Sequence, residues 1–317
     1  MKTYTYIIKL SDETDQAGEL YEIYQQKLIQ YIEKNVNPPI LQKTGNSREF
    51  LAEYVLQWKQ YTILVFALKK MFEYLDRYYL KNGAERAQNL TETALSKFKD
   101  LVFNDKIADL RRSILEEIQK DRLNEIVDKD LIKNAIWQFM YMGFEKKTTI
   151  KKIDGSGEFH WVGEKYLLLY DQCFEHHLML ATNEFYLKKA EMWSDQFNCF
   201  EYIQKISSHL TKEEMNADYF LQPETKPKIL NITLRNCVEN QAEQLTLKDT
   251  GCEYMFNERK IEQLAMMYKV FSRVETTLKY IINKMNPYIM QEGSKIVKNQ
   301  DNLCQPIKFT QKLLQFK

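Results

Sequence analysis

The chain has 317 residues, 44% of them apolar and 28% charged, with only nine Gly and six Pro. So few turn-forming residues exclude a turn-dense all-β architecture, and the length exceeds what one hydrophobic core usually serves, so two or three units are expected. Forty-five Lys and Arg against 44 Asp and Glu leave a formal charge of +1, which excludes an overall electrostatic footprint for nucleic acid or an anionic membrane.

The first residues, MKTYTYIIKLSDETD, have a short apolar run broken by Lys9 and no small-residue cleavage site, so they do not read as a signal peptide. No stretch has the apolar length needed to cross a bilayer. Five cysteines, at 173, 199, 237, 252 and 304, are odd in number and scattered. That usage suits reduced thiols in the cytoplasm or nucleus better than a disulfide framework.

Leu20, Ile23, Tyr24, Leu28, Tyr31 and Ile32 recur at helical spacing, and the pattern predicts a helix that stops before NPPI at 37–40. The clearest periodic segment follows Gly45. Leu51, Val55, Trp58, Thr62, Val65, Leu68, Phe72, Leu75 and Tyr79 mark one amphipathic helix, with Asn46 and Glu49 spaced for a capping box and Asn82-Gly83 as its stop. At 1.5 Å per residue, roughly 33 residues of helix would run about 50 Å.

The end of that helix, MFEYLDRYYL at 71–80, is more aromatic than one buried face can absorb. Phe72, Leu75 and Tyr79 take the core positions, which leaves Met71, Tyr74 and Tyr78 as a second stripe that needs its own cover.

Further helices are predicted over AQNLTETALSKFKDLVF, KIADLRRSILEEIQKDR, and from Asp130 to Gly143. At 148–162 the period changes. Ile150 and Ile153 form one arm, Phe159, Trp161 and Val162 the other, with DGSG at 154–157 between them, which reads as a β-hairpin. Its Gly155-x-Gly157 lacks the third glycine and following helix of a phosphate loop. Helical spacing then resumes to the end, interrupted by QPETKP at 222–227. The fold class expected is all-α: helical bundles with one small hairpin.

Little here suggests catalysis. Cys173 and His177 are four apart on a helix, but no second pair is spaced to complete a zinc site, and nothing orients His177 as a base for a thiol nucleophile. Paired carboxylates such as Glu116-Glu117 and Glu213-Glu214 read as solvated helix faces. No cofactor, metal or catalytic residue is predicted. The chain reads as a scaffold.

Taken in order, these segments resemble the N-terminal repeats of the cullins, scaffolds of multisubunit ubiquitin ligases. FLAEYVLQWKQY looks like the family's Trp-bearing helix start and EYLDRYYL like its Tyr-x-x-Arg end. ALSKFKDLVF and IQKDRLNEIVDKDLIKNAIWQFMYMGFE are similar to the segments that follow, with Lys99, Asp121 and Asn124 as departures. YDQCFEHHLMLATNEFYLKKAEMW and EYIQKISSHLTKEE also fit, and LAMMYKVFSRVETTLKYIINKMNPYIMQEGSKIV fits in register from Met267 to Gly293. The resemblance covers about residues 18 to 317.

What the resemblance implies is an elongated rod of five-helix repeats, divided here as 1–85, 86–200 and 201–317, without an active site of its own. It implies an adaptor of the Skp1/BTB type held by the first repeat, with Met71, Tyr74, Arg77 and Tyr78 on the binding stripe and Trp58 in the core. A RING protein is implied only if a C-terminal domain exists outside this chain. Leu20 aligns with the family's third helix and the C-terminus falls in the third repeat, so the first helices and the cullin-homology domain are expected to be missing. The hairpin at 148–162 reads as an insertion, decorative by default. Two other readings stand beside this one: a cullin-like chain that sequesters adaptors, and a structural subunit of an unrelated assembly that kept the helical repeats.

Overall fold

The computed structural model describes residues 14–73, 75–76, 89–144, 148–152, 159–162, 168–298 and 310–311. Their contacts divide the chain into two compact units, Met1–Leu178 with Tyr219–Leu221, and Met179–Asp218 with Gln222–Lys317. The expected first repeat boundary, at 85, lies outside the described residues.

In the first unit, helix α1 spans Thr14–Tyr31 and passes through a π-helical turn, Ile32–Val36, into α2, Asn37–Gln42. The predicted stop before NPPI does not occur: helical backbone runs unbroken from Thr14 to Gln42, with Pro38 and Pro39 directly after the π-helical turn.

Helix α3, Ser47–Met71, is capped by Asn46, whose side chain accepts from the Arg48 and Glu49 amides at 3.0 and 3.3 Å. The Glu49 carboxylate pairs with Lys43 at 2.9 Å. Its apolar positions are buried as the periodicity predicts, from Leu51 to Val65, but Phe50, Tyr54, Gln57 and Tyr61 are buried too. Two faces of α3 are thus covered. Tyr61 donates to the Ala94 carbonyl at 2.7 Å, and Trp58 meets Phe98 edge-on at 4.8 Å.

The predicted 33-residue helix is shorter than expected: α3 ends at Met71 after 25 residues. Phe72 leaves helical geometry (φ −105°, ψ 17°) while its amide still bonds Leu68 at 2.9 Å. The backbone is helical again at 73 and at 75–76. The bend buries Leu75 completely and lets the Asp76 carboxylate accept the Leu90 amide at 2.8 Å. The Asn82-Gly83 stop lies outside the described residues.

Asn89 opens α4, Leu90–Phe98, with a complete capping box to Glu92. A π-helical turn, Lys99–Phe103, leads into α5, Asn104–Arg122. Helix α6, Lys129–Tyr141, is capped by Asp128 and so begins ahead of the predicted Asp130.

Strands β1, Thr149–Lys152, and β2, Phe159–Val162, pair antiparallel with Ile150 opposite Trp161. The hairpin forms as the change of period predicts; its 153–158 tip is outside the described residues. Helix α7, Leu168–Tyr170, runs through a π-helical turn, Asp171–Glu175, into α8, His176–Gln196.

The second unit takes most of α8, then α9, Cys199–Phe220, as far as Asp218, and α10, Thr225–Leu234, which continues through a π-helical turn, Arg235–Glu239. Two short helices follow, α11, Ala242–Leu247, and α12, Cys252–Asn257, then α13, Ile261–Phe271, and α14, Leu278–Lys298. Tyr186, Trp193, Tyr202, Ile203, Cys237 and Phe271 belong to its core. Two buried tyrosines of this unit are paired: Tyr186 donates to Glu213 at 2.7 Å and Tyr202 to the Cys237 carbonyl at 2.9 Å.

Candidate partner-binding site

Of the four residues on the expected binding stripe, Met71 is described, and Tyr74, Arg77 and Tyr78 lie outside the described residues. Met71, the last residue of α3, is 45% exposed, so the stripe begins on the surface. The core side of the same segment is fixed. Phe72 packs on Tyr24 with ring centroids 5.9 Å apart, and Leu75 is fully buried.

Two charged groups tie the segment down. Burial pushes the Asp76 carboxyl above the usual carboxylate range, while the Leu90 amide pulls it back toward the charged form. Burial also lowers the Lys69 ammonium, which donates to Thr149 Oγ1 and reaches the Ile150 carbonyl at 3.5 Å. The end of α3 is therefore tied to β1 through Lys69, and the residues just after it to α4 through Asp76.

Trp58, assigned to the core from its place in the motif, is 5% exposed and stacks on Trp161 at 5.2 Å. Trp161 also donates its indole N–H to Thr62 Oγ1 at 3.0 Å and is itself 3% exposed. Phe66 meets Phe159 at 4.6 Å. The hairpin is therefore no decoration: it covers α3. A sequence signal for this existed, since Ile150 lies between Thr149 and Lys151 and His160 separates Phe159 from Trp161, but alternation does not say which element is covered.

Cys173 and His177 show no metal-site geometry. The Cys173 carbonyl accepts from Arg111 Nη1 at 3.2 Å, and burial and then the Arg111 charge lower the His177 imidazole. Among the described residues, no three His, Cys, Asp or Glu side chains are grouped to hold a metal ion, and no helix is long and apolar enough to cross a membrane.

Comparison with known proteins bears on what this arrangement serves. The chain is 27% identical over 302 residues to Cullin-2 of Arabidopsis thaliana, an alignment covering 94% of this chain and 38% of that protein. It is 26% identical over 306 residues to Cullin-1 of Oryza sativa subsp. japonica, covering 95% and 38%, and 25% identical over 285 residues to Cullin-3 of Caenorhabditis elegans, covering 86% and 34%. The chain thus spans little more than a third of the length of these relatives. A family model, the cullin alpha solenoid domain, matches residues 1–317. With the predominantly helical architecture and its collinear motifs, that match shows that the chain belongs to the cullin family.

Proposed function

We propose that this chain is the N-terminal, adaptor-holding part of a cullin-RING ubiquitin-ligase scaffold. The observation that carries the reading is the cullin alpha solenoid match across residues 1–317 on a helical fold. In this reading the chain supplies no reacting group. It raises the effective concentration of a substrate held at one end relative to a conjugating enzyme recruited through a RING protein elsewhere on the scaffold.

The adaptor, of the Skp1/BTB type, docks on Met71, Tyr74, Arg77 and Tyr78. The reduced cysteines suit work in the cytoplasm or nucleus. The division into repeats at 1–85, 86–200 and 201–317 belongs to the same proposal. Its support at the site is the exposed Met71 beside a segment whose opposite side is anchored by Leu75 and Asp76.

A pull-down with the purified chain as bait tests it. Recovery of a Skp1-type or BTB adaptor, lost with Tyr74→Ala plus Arg77→Ala, is the expected result, because truncating two aromatic or Arg anchors costs about 2 kcal/mol or more. Recovery of neither adaptor, or recovery unchanged by the double substitution, would overturn the assignment.

A further inference from the structure

The hairpin that carries Trp161 also builds a cleft. A space of about 480 Å³ opens among α3, α6 and β2, to which α3 contributes Trp58 and Thr62, α6 contributes Trp137 and Tyr141, and β2 contributes Phe159 and His160. That volume is in the range of sites that enclose a small ligand or an inserted side chain, about 300–1,000 Å³. Trp137 meets His160 edge-on at 5.3 Å, and Trp58 stacks on Tyr141 at 6.0 Å, so the aromatic walls support one another.

The charge around this cleft is unbalanced. Lys59 and Lys133 line it with one carboxylate, Asp130, which already accepts the Tyr219 hydroxyl. Neither lysine has an ion-pair partner among the described residues. Lys133 Nζ instead lies 5.4 Å from the Trp137 ring centroid and 4.8 Å from that of Tyr219, contacts that position an ammonium without neutralising it.

We propose that this cleft is a docking site for an extended acidic peptide segment of a partner protein. The segment seats an aromatic side chain against Trp137 and Phe159 and sets flanking carboxylates on Lys59 and Lys133. Aromatic walls favour a ring packed edge-on or offset, and such buried rings are the usual anchors of peptide recognition. The two ammonium groups come from different helices, which suits carboxylates spaced along a chain better than one compact anion. Without β2 the cleft would lose Phe159 and His160, so the hairpin creates the site. It stands apart from the adaptor stripe, since Thr62 precedes Met71 by nine residues, about 14 Å along a helix.

The experiment is a fluorescence-anisotropy titration of the intact chain against fluorescein-labelled Glu-Glu-Phe-Glu-Glu, with Glu-Glu-Gly-Glu-Glu, Lys-Lys-Phe-Lys-Lys and free phenylacetate as comparisons. Saturable binding of the first peptide is expected, weakened by at least about tenfold when Phe is replaced by Gly or when Lys59→Glu and Lys133→Glu are combined. The charge-reversed chain, with helicity checked by circular dichroism, should gain binding of Lys-Lys-Phe-Lys-Lys. Three results would overturn the proposal: no saturation by the acidic peptide, equal binding by the charge-reversed chain, or phenylacetate binding as tightly as the peptide, which would make the cleft a small-carboxylate site. Adaptor binding by the charge-reversed chain should be unchanged, so this inference and the adaptor assignment fail separately.

Discussion

A Cβ at Gly251 would lie 2.7 Å from the Leu245 and Thr246 carbonyl oxygens and 2.8 Å from that of Lys248. All three are backbone atoms, and the Gly251 amide is already drawn to the Lys248 carbonyl at 2.7 Å. Nothing at that corner can give way as a flexible side chain would, so Gly251→Ala should destabilise the second unit by about 1–3 kcal/mol, measured by urea denaturation. The same unit carries a titrating group in its interior. Burial pushes the His209 imidazole down from 6.5 to about 4, with Glu213 opposing and Lys212, Lys189 and Lys205 assisting. Trp193 sits 4.8 Å from its ring. Because the unfolded chain takes up this proton first, the His209 contribution is complete above pH 6.5 and is lost as pH falls from 6.5 toward 4. A His209→Phe variant should lose less stability than the parent chain between pH 7 and pH 5, read as the change in denaturation midpoint.

At the scale of elements, the hairpin makes the firmest prediction. Trp161 is a fully packed side chain joining β2 to α3, so Trp161→Ala should cost about 3–5 kcal/mol in the first unit. Trp161→Phe keeps a ring against Trp58 but leaves Thr62 Oγ1 without its indole donor, and should cost only about 0.5–1.5 kcal/mol beyond the change in ring size. Equal costs for the two substitutions would show that the hairpin is not seated on α3. The periodic positions of α3, the Asn46 cap and the hairpin arms were all legible in the sequence, because each depends on residues only a few positions apart. The bend at Phe72 was not: it sets Asp76 against the Leu90 amide, fourteen residues on, a contact that local spacing does not reveal. Nor was the second buried face of α3, where Tyr54 and Tyr61 pack on Phe98 and the Tyr61 hydroxyl donates to the Ala94 carbonyl, more than thirty residues on. The cleft followed the same rule: its residues lie on three elements that sequence spacing cannot bring together.

For the molecule as a whole, family membership was readable because many weak motifs keep one order along the chain, and a family model matches all of it. The candidate adaptor stripe was legible only through that resemblance; periodicity alone left Met71 on a face awaiting cover, and the structure shows Met71 exposed. On the function proposed above, this face holds an adaptor. Its most direct test is the affinity of the intact chain for purified Skp1-type and BTB adaptors by biolayer interferometry, comparing the parent with Tyr74→Ala plus Arg77→Ala and with Lys59→Glu plus Lys133→Glu. One adaptor class should bind, the Tyr74/Arg77 pair should weaken it by about thirtyfold or more, and the lysine pair should leave it unchanged. Binding of neither adaptor class, or equal affinity for parent and Tyr74/Arg77 variant, would contradict it.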